Sequence, residues 1–290
     1  MIDKDGREHY NIRVVFWKGG GGMRANAPIG ILDSGVGGYT VARVLQKLLP
    51  HEDIIYYGDG GNAPYGNRTA DDIVHIVGQI LDFMAEQGVK AVGLACNTSS
   101  ALIDRFADKY DFPIFSIVQA GADEVLRRGM RQVGVLATML TTQTGSYPRL
   151  IQQADPNVDV FSQGSVNLAA LVESGRASEE EIVAELQASL GQIAAAQPQL
   201  DTLVLGCTHY PIVRDIIART YPQFTNIIDP AMGQVENMRA CLAANSALNP
   251  GGGKLQIYTS GDCGKFEAMA EQLGLKLTGP AVYKRVAQPL

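Results

Sequence analysis

The 290-residue sequence predicts an α/β protein built as two open parallel-sheet α/β domains with a candidate ligand site in the cleft between them. Two observations carry this expectation. Short β-rich runs alternate with longer amphipathic runs along the chain, the pattern of parallel sheets flanked by helices. In addition, "VGLACNTSSAL" and "LVLGCTHYPIV" each read strand, cysteine, polar residues, helix, one in each half of the chain. Open α/β sheets bind ligands beyond the carboxyl ends of their strands, so two such ends brought face to face make a cleft.

In chain order, strands are expected at Ile29–Asp33, Asp53–Tyr57, Ala91–Ala95, Ile114–Val118, Gln132–Leu136, Val158–Phe161, Thr202–Leu205, Asn226–Ile228 and Leu255–Thr259. Between them, Ala70–Glu86 and Ser178–Ala196 place apolar residues near the 3.6 period, with Asp or Glu in the first turn, and read as helices. No low-complexity segment or solenoid period follows residue 28. The opening stretch ends in a four-glycine run before Met23 and lacks a signal-peptide pattern. Residues 1–27 are therefore expected to be an extension outside the fold, disordered or artificial in origin, with Met23 a candidate first residue.

A net charge of -6 without a basic run argues against a nucleic-acid surface. The apolar stretches are too short for a bilayer span, so no membrane partner is expected. Four cysteines in a chain of this length, with no secretion signal, point to free thiols and a cytoplasmic location.

Two of those thiols carry the functional reading. A cysteine where a strand ends and a helix begins sits near the positive end of the helix dipole, which is expected to lower its pKa from about 8.5 toward neutrality. A lone cysteine is more often a small buried hydrophobe. Asn97–Thr98 after Cys96 and Thr208–His209 after Cys207 are poor companions for an inert core residue. Cys241, in a helical pattern, and Cys263, after an "SGD" turn, read as structural. The pair admits several chemistries. A redox dithiol usually has the Cys-x-x-Cys spacing, absent here. Zinc would need more ligands than Cys207-x-His209 supplies. A cysteine hydrolase would need one thiol and an oriented His. The remaining reading is an acid–base pair, one thiolate taking a proton from carbon while the opposite thiol delivers one.

The loop "ILDSGVGGYTV" lets backbone approach a ligand closely and offers amides at a helix mouth, suiting a carboxylate as well as a phosphate. It lacks the G-x-G-x-x-G form of a dinucleotide site. Asp33 either polarises a neighbouring group or caps the turn. "YYGDGGNAPYGNRT" is a candidate substrate loop in which Tyr65 and Gly66 can offer donors.

Taken together, "DSGVGG" at 33–38, "GD…PYG" at 58–66, "ACNT" at 95–98, "LAT…T" at 136–141, "GCTHYP" at 206–211 and "YTSGD…F" at 258–266 resemble the glutamate racemase family, part of the cofactor-independent aspartate/glutamate racemases. The resemblance covers roughly residues 28–275. It implies a first domain of 28–119 plus 230–290 and a second of 120–229. It also implies that Cys96 and Cys207 are the acid–base thiols, acting on the D- and L-enantiomer respectively. Asp33 would assist the first thiol, His209 the second, and Glu173 would orient His209. Ser34, Tyr65 and Gly66 match positions holding the substrate's side-chain carboxylate, and Asn97, Thr98 and Thr208 those around its α-amino-acid end. Thr138 and Thr141 come from the matching "LAT…T" segment, and Asp33 and His209 also count among the substrate contacts.

No metal, pyridoxal phosphate or nucleotide is implied. The partner is an amino-acid substrate, a homodimer is expected, and the product would be D-glutamate for peptidoglycan. Departures at Gly60, Gln119–Ala120 and "GSVNLAA" before Glu173 leave aspartate or another acidic or substituted amino acid as the alternative substrate. A non-catalytic amino-acid-binding protein, or a one-thiol lyase or decarboxylase, would not need both thiols.

Overall fold

A computed structural model of the chain describes residues 23–290. Ten strands occur among these residues: β1 Ile29–Asp33, β2 Ile54–Gly58, β3 Ala91–Leu94, β4 Ile114–Ser116, β5 Gln132–Thr138, β6 Asp159–Ser165, β7 Thr202–Gly206, β8 Asn226–Ile228, β9 Leu255–Thr259 and β10 Val282–Tyr283. They form two sheets with orders β10-β9-β2-β1-β3-β4 and β6-β5-β7-β8. Every pairing in both is parallel.

Alternation along the strands explains why both sheets are buried on two faces. Ile29 and Ile31 of β1, Val133 and Val135 of β5, and Val204 of β7 point into one core shared by the two sheets. Leu32 points to a second core under the helix Ala70–Glu86, while Leu136, Leu203 and Leu205 point to a third under the helix Glu179–Ala196. A parallel sheet covered on both faces needs this near-continuous apolar run. The helices Ile117–Arg127 and Ala231–Ala244 pack against each other in the shared layer, so the middle of the molecule is one continuous core. Local signals fix the helix starts. Thr69 caps the helix at Ala70 by accepting from Asp72 N at 3.1 Å. Ser178 and Glu181 form a reciprocal capping box ahead of Glu179.

Several boundaries differ from expectation. The strand expected at Ile114–Val118 stops at Ser116, because the Ser116 hydroxyl accepts from Gln119 N and starts a helix at Ile117. β5 and β6 run on through polar residues to Thr138 and Ser165, and the short edge strand β10 was not anticipated. The fold also begins earlier than residue 28. Met23 packs against the shared core, and the Ala25 carbonyl accepts from Lys90 Nζ at 2.6 Å. The expectation for residues 1–22 lies outside the described residues.

The order of each sheet locates the site. In the first, β1 lies between β2 and β3, so successive connections leave β1 in opposite directions. In the second, β5 lies likewise between β6 and β7. A crevice opens at such reversal points, beyond the strand ends. Asp33 and Cys96 stand at one, Thr138 and Cys207 at the other.

Candidate active site

The loop after β1 runs through Ser34–Gly38 into the helix Tyr39–Leu48. It lies so close to the other sheet's elements that side chains are barred at Gly35 and Gly37. A Cβ on Gly35 would collide with the Glu173 carboxylate, and one on Gly37 would come within 2.6 Å of Thr208 Oγ1. Its amides serve anions, but protein ones. Gly35 N donates to Asp33 Oδ1 at 3.0 Å and Val36 N to Glu173 Oε2 at 3.1 Å. The first of these bonds is the turn cap expected of Asp33, and its other oxygen accepts from the Thr208 hydroxyl at 3.0 Å. Burial pushes the Asp33 carboxyl up to about 6, against the opposing pull of His209, the Gly35 amide and Thr208.

Cys96 leaves β3 buried, its sulfur 3.7 Å from Ser34 Oγ. The expectation of a depressed thiol fails here. Burial, then the Asp33 carboxylate, pushes Cys96 up to about 11. The helix that follows spans only Asn97–Ser100, and so short a dipole cannot offset desolvation and a neighbouring negative charge.

Cys207 leaves β7 in different company. Its sulfur lies 3.6 Å from His209 Nδ1, and His209 Nε2 lies 2.6 Å from Glu173 Oε2. Burial alone would push His209 down, but the contacts with Cys207 and Glu173 outweigh it and hold the imidazole well above its ordinary value. Burial likewise would raise Glu173, yet hydrogen bonds from His209 and Lys265 bring it down to about 2. His209 therefore stands between a sulfur and a carboxylate that both favour its protonated form.

Ser34, Tyr65, Gly66, Asn97, Thr98, Thr138, Thr208 and His209 line one cleft together with both thiols and Glu173. Thr98 and Thr138 hydroxyls meet across it at 3.0 Å. Thr141 does not reach the cleft; its hydroxyl lies 2.9 Å from that of Thr138, whose side chain also caps the helix Met139–Gln143. Tyr65 lines the cleft, but its hydroxyl donates to Asp59 Oδ2 at 2.6 Å rather than toward the cavity. The buried Asp59 carboxylate also accepts from Asn62 and Ser260 and so pins the candidate substrate loop. Asn97 Oδ1 accepts from Tyr147 at 2.8 Å, leaving its Nδ2 buried with no partner among the described residues. The void enclosed measures about 30 Å³, room for a few waters and far smaller than the 150 Å³ or so that admits benzene. The cleft is narrow though partly open to solvent, and an amino acid is seated in it only if its walls part.

Sequence reasoning missed Lys265, which binds Glu173 Oε1 at 2.8 Å, and the wall formed by Ser165, Val166, Ala169 and Ala170. Lys265 had a legible signal, a cation in the first turn of a helix where acids are preferred. Among the described residues, Cys241 is half-buried in a helix and Cys263 opens another, both away from the cleft lining.

Residues 39–237 match the Asp/Glu/Hydantoin racemase family. The chain belongs to this family. Glutamate racemase 2 of Caldanaerobacter subterraneus subsp. tengcongensis is 38% identical over 253 residues, 86% of this chain and 94% of that one. Among solved structures, a glutamate racemase isoform of Bacillus anthracis superposes with a TM-score of 0.85 at 28% identity, covering 91% of this chain and 99% of its own. The glutamate racemase of Francisella tularensis, solved with D-glutamate, gives 0.81 at 30% identity, covering 91% and 98%. The family's two-sheet α/β architecture is the one expected from the sequence. No helix among the described residues is long and apolar enough to cross a membrane.

Proposed function

We propose that this protein is an isomerase that interconverts L- and D-glutamate by two-thiol proton transfer at Cα, without a cofactor. The observation that carries the reading is the placement of Cys96 and Cys207 at the reversal points of two sheets, lining one cleft with opposite electrostatic partners. The amino-acid Cα–H is a very weak acid. Positioned proton transfer alone supplies about 10²–10⁴-fold, so further stabilisation of the carbanion is required. A closed cleft with hydroxyls and an unpaired amide donor at Asn97 supports that, since oriented dipoles act strongly where water is excluded.

The asymmetry suits one direction of attack from each thiol. When Cys207 gives up its proton, the His209 imidazolium is the countercharge beside it. Cys96, pushed up to about 11, is then a protonated thiol ready to deliver from the opposite face. In this state the enzyme accepts the L-enantiomer, and after turnover the roles are exchanged. Asp33 serves as the base-side carboxylate for Cys96, and Glu173 keeps His209 in orientation. Ser34, Gly66, Thr98, Thr138 and Thr208 offer the polar contacts to substrate, with Tyr65 contributing its ring and backbone and Thr141 acting through Thr138.

The bodies that part to admit substrate are 28–119 plus 230–290 and 120–229, extended at the start by Met23–Ala27. The protein acts in the cytoplasm, as a homodimer, and its product supplies D-glutamate for peptidoglycan. Purified protein incubated with L-glutamate or L-aspartate, with no metal or pyridoxal phosphate added, tests the reading by chiral chromatography. Glutamate should approach an equal mixture of enantiomers. Faster turnover of aspartate would assign the site to the alternative substrate, and racemisation of neither would overturn the reading.

A further inference from the structure

We propose that Lys265 is a positioning residue for His209: reaching across the cleft, it takes one oxygen of Glu173 and so makes the carboxylate's grip on the imidazole depend on cleft closure. The kinetic part of this inference deepens the racemase reading and rests on it; the structural part does not.

Glu173 belongs to the helix Leu168–Ser174, which follows β6 of the second sheet. Its partners come from both sides. His209 Nε2, on its own side, lies 2.6 Å from Oε2. Val36 N, after β1 of the first sheet, donates to the same oxygen at 3.1 Å. Lys265 Nζ, on the helix Cys263–Gln272 after β9, donates to Oε1 at 2.8 Å. Parting the cleft removes the last two donors and leaves the carboxylate to His209 alone. In the closed form its charge is divided between two cations, and each is held less tightly than it would be alone.

Local stability does not account for a lysine at this position. Its backbone amide is capped by Asp262 at 2.9 Å in the first turn of its helix, where the dipole disfavours a cation. Its side chain is 38% exposed, and half-exposed ion pairs contribute little to folding. A local choice that runs against helix preference is expected where function requires it.

The groups facing His209 are Cys207 and Glu173 directly and Asp33 through Thr208. Farther out, Cys96 lies near Asp33, the phenols of Tyr39 and Tyr56 near Glu173, and Glu267 and Cys263 near Tyr39. Lys265 is the permanent cation of this set. Its withdrawal strengthens the Glu173–His209 bond and makes His209 a more reluctant proton donor toward Cys207.

The test is the Nε2 proton of His209, observed by NMR at one pH and identified by its loss in His209→Asn. In Lys265→Met this proton should move downfield, as a hydrogen bond that is no longer shared shortens. Lys265→Arg should restore it. KM for both enantiomers should rise roughly three- to tenfold in Lys265→Met, with a smaller loss of kcat. Lys265→Gln serves the same comparison should the methionine variant fail to fold. An unmoved or upfield proton, or an unchanged KM, overturns the proposal. A shifted proton in a chain that racemises nothing would leave the clamp standing and remove the racemase reading instead.

Discussion

Cys96 follows β3 and Cys207 follows β7, each beside the strand where its sheet reverses order, yet their surroundings are opposite in sign. Cys96 meets a hydroxyl and the field of a buried carboxylate, which together with burial favour a neutral thiol. Cys207 meets an imidazole held toward its protonated form and braced by Glu173. Topology thus supplies two equivalent positions, and the side chains around them make the two ends different. A symmetric molecule could face a symmetric task, since the enantiomers have equal energy. The difference between the two ends instead gives the two thiols unlike partners, a buried carboxylate for Cys96 and an imidazole for Cys207.

Replacing either sulfur should have the largest effect. Cys96→Ala and Cys207→Ala should each lower kcat/KM by more than the roughly 10²–10⁴-fold typical of a single positioned acid or base, in both directions. A variant that keeps the parent rate in a steady-state assay would break the comparison outright.

Asp33→Asn should come next, with activity and stability moving apart. A carboxyl raised in the fold from 3.8 to about 6 contributes stability at low pH that is lost as pH climbs through about 6. Above that pH the neutral amide should raise the free energy of unfolding by something on the order of 1 to 3 kcal/mol, while kcat/KM falls. Denaturant titrations at pH 5 and pH 8 check the sign; a variant less stable than the parent at pH 8 would contradict it.

His209→Asn sharpens the comparison further. Because the enantiomers are equal in energy, any variant must lose kcat/KM equally in both directions, so a specific role shows only in kcat and KM taken separately. The kcat for L-glutamate should fall about tenfold more than that for D-glutamate, with KM compensating. Equal changes in kcat would assign His209 to both thiols.

Glu173→Gln should show the smallest effect, read in acid. A group lowered from 4.5 to about 2 contributes stability above pH 4.5 that disappears as pH falls through about 2. The stability deficit of the glutamine variant should therefore shrink over that interval. A deficit constant with pH would mean that Glu173 carries no such charge-dependent role.

Strand positions were legible because burial on both faces writes a continuous apolar run, and the helix Ala70–Glu86 was placed to the residue by its cap and period. β4 was overextended because Ile117 and Val118 continue the apolar run while Ser116 turns the backbone, a choice that depends on a side-chain hydrogen bond. That Cys96, Cys207 and His209 meet in one cleft, with Asp33 behind Thr208, was legible from their company in short motifs. Their charge states were not. The dipole argument for Cys96 looked only along the chain, whereas the carboxylate that opposes it comes from another strand. Tyr65 looked like a donor to substrate until Asp59 was found to hold its hydroxyl. Lys265 meets Glu173 only through the closed cleft, 92 residues away in sequence.

Proton traffic in D₂O bears most directly on the claim of two bases on opposite faces. L-Glutamate turned over to a small extent should give D-glutamate carrying deuterium at Cα, while the L-glutamate left behind stays protiated. Deuterium appearing in the remaining L-glutamate as fast as in the product would mean that one group both takes and returns the proton, and the account would fail.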